Sequence, residues 1–232
     1  FQAEDGIRDV ERSRGLGDVY KRQDLNQRLK ELHQQESGRD DQGSETALIY
    51  QRYLRRLDTL KSETERLGET LNDFLRYAGK MELHPVPCDL NELLDDLIDF
   101  YEPQALHRRV RIRRSFDPAG AVSRVDGDLL KQAFLNLFIN ATQAMESGGE
   151  LMIRTKTLPD AIRVDVIDTG PGIPPEVQEK IFDAYYTTRP GGSGLGLPIC
   201  RRIIEEHQGK IELISEPGKG SNFVVLLPRD RA

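Results

Sequence analysis

The chain has 232 residues, 37% of them hydrophobic and 31% charged, with 20 glycines and 12 prolines. That length supplies one core and part of a second domain, which excludes a large barrel or a long multidomain enzyme, and no stretch approaches the roughly 18 uninterrupted apolar residues of a membrane-spanning helix. Thirty-three basic residues against 39 acidic ones leave a net charge of −6, which argues against a nucleic-acid binder held by phosphate neutralisation.

Residues 1–23 mix both signs of charge with three glycines and show no sustained period that would give them a buried face. The string resembles the translated sequencing adapter found at the ends of open reading frames from assembled environmental DNA. The segment is therefore expected to be non-native, with authentic sequence from about Asp24. From Asp24 to about Gln35, leucines at 25, 29 and 32 form one helical stripe, and a polar break over residues 36–44 follows. Tyr50, Tyr53, Leu57, Leu60, Thr64, Leu67, Leu71, Phe74 and Ala78 then alternate spacings of three and four, a heptad seam. A stripe so narrow cannot make a core alone. Residues 24–80 are therefore expected to form an antiparallel helical hairpin that pairs with a second copy as a homodimer; the plainer alternative is a helix lying on the following domain.

Residues 81–88, with prolines at 85 and 87, read as a linker. Asp89-Leu-Asn-Glu92 reads as a capping box opening a helix to about Ala105. After it come short alternating segments at Val110–Arg114 and Ala121–Val125 and a helix over Asp128–Met145. A hairpin over Glu150–Thr157 and Ala161–Asp168 follows, with Ile162, Val164 and Val166 turned inward. A glycine- and threonine-rich stretch leads to a helix over Leu197–His207 and two closing strands, Lys210–Ser215 and Asn222–Leu227. Strands interleaved with helices imply a layered α/β domain with one helical face. The two cysteines, Cys88 and Cys200, lie far apart in no metal-type spacing and read as reduced thiols of a cytoplasmic protein.

Three motifs in this second domain carry chemistry. Asp168-Thr-Gly170-Pro-Gly172 sits at a strand end, where a carboxylate accepts a hydrogen bond from an amine and the glycines admit a flat ring. Gly191-Gly192-Ser-Gly194-Leu195-Gly196-Leu197 offers backbone N–H groups and a helix N-terminus, the requirement for cradling phosphates. Asn136 and Asn140, four apart, present two amides on one helix face, a fit for hydrated Mg²⁺ bound through nucleotide phosphates. Taken singly, each motif also has a bland reading as a turn, a flexible loop or a polar helix position.

In this order, the NxxxN helix, the DxGxG strand end and the run FDAYYTTRPGGSGLGL resemble the ATP-binding domain of sensor histidine kinases, within the wider Bergerat-type ATPase superfamily. The resemblance covers about residues 89–228 closely, implying a catalytic ATP-binding domain over residues 89–230, and 46–88 more loosely. It implies an α/β (α+β) two-layer sandwich of the Bergerat type behind the helical hairpin, with ATP and Mg²⁺ as ligands. By this resemblance Asn140 ligates Mg²⁺, Asn136 assists at the phosphates, Asp168 reads the adenine amine, and Gly170 and Gly172 line the base. Phe182 anchors a mobile lid, Thr187, Thr188 and Arg189 lie along it, Gly192, Gly194, Leu195, Gly196 and Leu197 meet the phosphates, and Ser221 lies near the adenine.

Two departures stand out: a lid box usually reading FxPF is Phe182-Asp-Ala184-Tyr185, and a basic residue often found three after the second Asn is Gln143. The family's acceptor, a histidine in an H-E-x-x-N-P-L-like box, has no counterpart at His33, His84, His107 or His207. The resemblance therefore implies a fragment inactive in autophosphorylation. Its parent, with or without a membrane anchor, moves the γ-phosphoryl group to a histidine and then to the receiver domain of a response regulator. The alternatives are a nucleotide-binding dimerisation module without kinase activity, or a Bergerat ATPase of the mismatch-repair or chaperone type. The short chain, the heptad hairpin and Asn136 oppose the latter, because an amide cannot act as the water-activating base.

Overall fold

The computed structural model describes residues 42–79, 81–189 and 192–230. The adapter-like segment, the first arm of the expected hairpin, His33 and Gly191 lie outside them. The chain divides into two units, residues 1–67 and 68–232.

In the first unit, helix α1 (Gln42–Ala78) starts inside the stretch expected to be a polar break. Its hydroxyl-bearing residues are satisfied locally: Thr59, Ser62 and Thr64 donate back to the carbonyls of Arg55, Thr59 and Leu60. The apolar seam is exposed, with Tyr53, Leu57, Leu60 and Leu67 each more than half accessible.

The second unit takes in the last turns of α1, which end where Gly79 N–H donates to Leu75 O at 2.8 Å. The run read as a linker is in part a strand: β1 (Val86–Asp89) pairs antiparallel with β3 (Val122–Val125). Pro87 is tolerated there because a two-stranded ribbon has a free edge. Helix α2 (Leu90–His107) follows, capped by Asp89, whose carboxylate accepts from Asn91 N–H at 2.8 Å; the cap bond falls one residue before the Glu92 position of a capping box. Strand β2 (Val110–Ser115) and β3 precede helix α3 (Gly127–Ala144), and β4 (Gly149–Thr157) forms a hairpin with β5 (Ala161–Asp168). The glycine-rich stretch holds a short helix α4 (Pro175–Gln178) and a 3₁₀ turn (Lys180–Phe182) that periodicity did not reveal, each being too short to show a period. Helix α5 (Gly196–Glu206), β6 (Lys210–Glu216) and β7 (Gly220–Pro228) complete the fold.

The five-stranded sheet has the order β2-β4-β5-β7-β6, parallel between β2 and β4 and antiparallel elsewhere. Alternation separates its faces. Ile162, Val164 and Val166 of β5 are buried with Phe134 and Phe138 of α3, Leu94 and Ile98 of α2 and Ile203 of α5 in one core. Each such side chain contributes roughly 1.5–3 kcal/mol by leaving water. Tyr101 of α2 keeps its hydroxyl satisfied in that core through Thr142 Oγ1 at 2.6 Å. His207, which ends α5 and reads from sequence as a cation suited to a helix dipole, is buried instead. Its Nε2 accepts from Asp126 N–H at 2.9 Å and its Nδ1 faces Ile203 O at 2.7 Å, the bonding of a neutral ring.

The other face of the sheet holds one fully buried carboxylate, Asp165. Arg163 and Arg154 both donate to it, the closest contact being 2.7 Å, and Asn222 Nδ2 donates at 2.8 Å. Burial pushes the Asp165 pKa up, but the bonds from Arg163 and Asn222 and the charge of Arg154 more than offset it, so the group titrates below its ordinary value. A depressed carboxylate pKa gives stability that is present above the unfolded pKa and lost as pH falls through the folded one. Asp165→Asn should therefore cost about 2–3 kcal/mol near neutrality, less than a fully buried pair because both arginines are partly hydrated. Urea unfolding should also show a flatter acid-side stability profile for the variant than for the parent chain.

Candidate functional site

The C-terminal end of β5 delivers Asp168 opposite Ser221 of β7. Asp168 is buried, and both of its backbone bonds fall on Oδ1, from Gly170 N–H at 2.8 Å and Ser221 N–H at 3.3 Å. The second oxygen is thus not committed to the backbone. Burial raises the Asp168 pKa above its ordinary value, while Gly170, Ser221 and the charge of Arg189 pull it back in part. Ser215, which carries no distinguishing signal in the sequence, supports the arrangement from β6. Its Oγ accepts from Ile173 N–H at 2.8 Å and lies 3.1 Å from Ser221 Oγ. Gly172 has φ +72°, and a Cβ there would collide with the Glu216 carbonyl, so only glycine fits. Gly170 packs against Ala144 and Met145, at 3.5 Å from an added Cβ, which sets this end of the site beside the C-terminus of α3.

Asn140 and Asn136, one and two turns earlier on α3, are the amides. Asn136 Nδ2 donates to Gly196 O at 3.3 Å, and a Cβ added at Gly196 would stand 3.9 Å from both Asn136 Cγ and Asn140 Nδ2. Gly196 is the first residue of α5, and no side chain caps that helix, so its first N–H groups are not taken by a capping residue. Arg189 reaches across to the same place. Its guanidinium donates to Asn140 Oδ1 at 3.2 Å, to Asn140 O at 2.8 Å and to Gln143 Oε1 at 2.6 Å. Burial lowers its pKa, and the Asp168 carboxylate works in the opposite sense.

The remaining motif residues form the segment between the 3₁₀ turn and α5. Phe182 is buried, edge-on to Phe223 at 6.4 Å and with the Arg201 guanidinium 4.2 Å from its ring centre. Tyr185 adopts φ +66° and donates its N–H to Gly194 O at 3.0 Å; Gly194 itself has φ +67°. Thr187 Oγ1 accepts from Arg189 N–H at 3.1 Å, and Gly192 lies against that hydroxyl, while Thr188 is exposed. Leu195 is fully buried in the core and Leu197 half-buried against it, so these two present backbone rather than side chain to the loop. Two surface hollows of about 440 and 530 Å³ lie elsewhere and include none of these residues.

The C-terminal end of β5, α3 and the start of α5 thus bring together a hydrogen-bond acceptor with glycines on one side and amides, helix N–H groups and a guanidinium on the other. That is the chemistry of a molecule with a donor-bearing ring and an anionic tail.

Comparison with known proteins agrees. Residues 125–231 match the family model described as histidine kinase-, DNA gyrase B-, and HSP90-like ATPase. Sporulation kinase C of Bacillus subtilis is 36% identical over 173 residues, which are 74% of this chain and 40% of that protein, so the chain spans less than half the relative's length. Among solved structures, full-length ShkA in complex with AMPPNP superposes with TM-score 0.69 at 27% identity over 77% of this chain and 39% of that one. The catalytic domain of histidine kinase ThkA superposes with TM-score 0.59 at 33% identity over 64% of this chain and 97% of that domain. ThkA in complex with response regulator protein TrrA superposes with TM-score 0.61 at 26% identity, over 98% of this chain and 66% of that one. With almost the whole of a histidine kinase catalytic domain covered at that identity, this chain belongs to the histidine kinase-, DNA gyrase B- and HSP90-like ATPase family, among its sensor histidine kinases.

Proposed function

We propose that the chain binds MgATP beside α3 and is the catalytic portion of a sensor kinase that passes the γ-phosphoryl group to a histidine and on to an aspartate of a response regulator. The observation that carries this reading is the placement of Asp168, Ser221 and Gly170 by the end of α3, with Asn140 and Asn136 one and two turns earlier on that helix and Gly196 beside those amides. In it, Asp168 accepts the adenine amine, Gly170 and Gly172 leave room for the ring, and the start of α5 with Gly192, Gly194 and Gly196 meets the phosphates. Phe182 fixes the root of the lid, and Thr187, Thr188 and Arg189 lie along it.

The residues suit a metal as well. Asn140 Oδ1 already faces a positive charge, that of Arg189, and Mg²⁺ prefers a site with few protein oxygens that keeps water and phosphate ligands. Asn140 would hold Mg²⁺ through this oxygen, with Asn136 beside it. When bound, the ion would neutralise phosphate charge during transfer. Asn136 offers an amide and no base, which favours transfer to a positioned side chain over hydrolysis. None of the described histidines is offered as the acceptor. Of the described histidines, His207 is buried and bonded at both ring nitrogens, and neither His84 nor His107 lies on α1. A response regulator is the proposed second partner, as TrrA is for ThkA. The exposed seam of α1 supports self-association of two copies. No helix among the described residues is long and apolar enough to cross a membrane, and cytoplasmic placement of this portion is part of the proposal.

Asp168→Asn turns one acceptor oxygen into a donor facing a donor. ATP affinity should fall by about 1.5–3 kcal/mol in calorimetric titration. The acceptor must be ionised, so affinity of the parent chain should fall as pH drops through the Asp168 pKa, which burial holds above its ordinary value, while Asp168→Asn stays weak and flat with pH. Unchanged affinity in the variant would remove the adenine role.

Asn140→Ala should weaken binding of fluorescent ATP far more with Mg²⁺ than with chelator, at an unchanged ligand-free melting temperature. Equal losses in both titrations would exclude the metal role.

A further inference from the structure

Gln143 lies three residues after Asn140 on α3, exposed and on the same helical face. It makes the shortest of the three bonds that hold Arg189, at 2.6 Å. We propose that Gln143 is a positioning residue of the nucleotide site: it holds the Arg189 guanidinium on the Asn140 side-chain oxygen, so that a cation from the lid takes the place a metal ion would need. This rests on the nucleotide reading above.

The geometry is over-determined in a way that a chance surface contact is not. Arg189 is tied at both ends: its backbone N–H bonds Thr187 Oγ1, and its guanidinium spans the side chain and carbonyl of Asn140 as well as Gln143. A partly buried guanidinium needs its donors filled, and the three acceptors are all neutral amide oxygens. Among the described residues no carboxylate hydrogen-bonds the guanidinium; Asp168 and Glu146 act on it through their charge alone, so its N–H groups can still turn to an incoming anion. A metal ion and a guanidinium repel each other at one oxygen. Binding of a metal therefore displaces Arg189 from Asn140 Oδ1, whereas a nucleotide without metal finds the arginine already at its phosphates. Gln143 decides how firmly that built-in cation is held.

The test compares Gln143→Leu, Arg189→Gln and the double variant by ATP titration with chelator and with Mg²⁺, together with the Arg189 guanidinium N–H signals of the ligand-free chain by nitrogen-15 NMR. Gln143→Leu should weaken metal-free ATP binding about fivefold and change MgATP binding less than twofold, so that the stimulation by Mg²⁺ grows. In the Arg189→Gln background the same change should do nothing beyond twofold, and the slowed guanidinium signals of the parent should average out in Gln143→Leu. A purely structural role would lower both affinities together and persist without Arg189. Either that pattern or guanidinium signals indifferent to Gln143→Leu would overturn the positioning role alone. Failure of the parent chain to bind any adenine nucleotide would instead overturn the nucleotide reading beneath it.

Discussion

The register between β5 and β7 is the constraint on which the site depends. Asp168 pairs with Ser221 only because Val164 pairs with Val225 and Val166 with Phe223 further along the same ladder. Those pairs are the core of the sheet. A slip by one residue would turn Asp168 away from the helices and Ile167 toward them. The burial that fixes the hydrophobic alternation therefore also fixes which carboxylate stands at the strand end and which backbone N–H groups hold its Oδ1. Asp168 is raised in pKa by the same burial and is kept usable by Gly170, Ser221 and the positive charge of Arg189. Stability and chemistry share one set of contacts here.

Helix α3 carries the second half of the argument. Its apolar face is buried through Leu130, Phe134, Leu137 and Phe138, while the adjoining positions place Asn136, Asn140 and Gln143 toward the lid. One helix thus fills the core and presents three amides in a row. Because the packed face fixes its rotation, the spacing of the amides is rigid.

Much of this was legible in the sequence, for identifiable reasons. Period-2 alternation in β5 and the 3.6 period of α3 and α5 are imposed by a one-sided core, and the observed bounds differ from the expected ones by one or two residues. The elements that escaped are those whose stability comes from elsewhere. β1 is held by its ribbon partner and interrupted by prolines, and α4 and the 3₁₀ turn are too short to show a period. Within the candidate site, Asp168, the glycines and the asparagines stood out through their order along the chain, since each motif alone also reads as a turn, a loop or a polar helix position. Ser215 did not, since a serine on a strand carries no mark of the hydroxyl relay it joins. His207 misled because its helix-terminal position suggested a cation, whereas its environment is set by Asp126 N–H, 81 residues earlier in the chain.

The segment between the 3₁₀ turn and α5 is anchored at both ends and carries backbone strain at one place. Tyr185 and Gly194 both sit in the left-handed region and are joined by one backbone bond. A tyrosine there stores of the order of 1–3 kcal/mol of strain. Phe182 at one end is clamped between Phe223 and Arg201, and Leu195 at the other is fully buried. Between these two fixed ends, Arg189 bonds to α3 through Asn140. The arginine therefore ties the lid to the helix that presents the amides. A ligand that took the Asn140 oxygen would break that tie directly, with no need of a longer path through the protein.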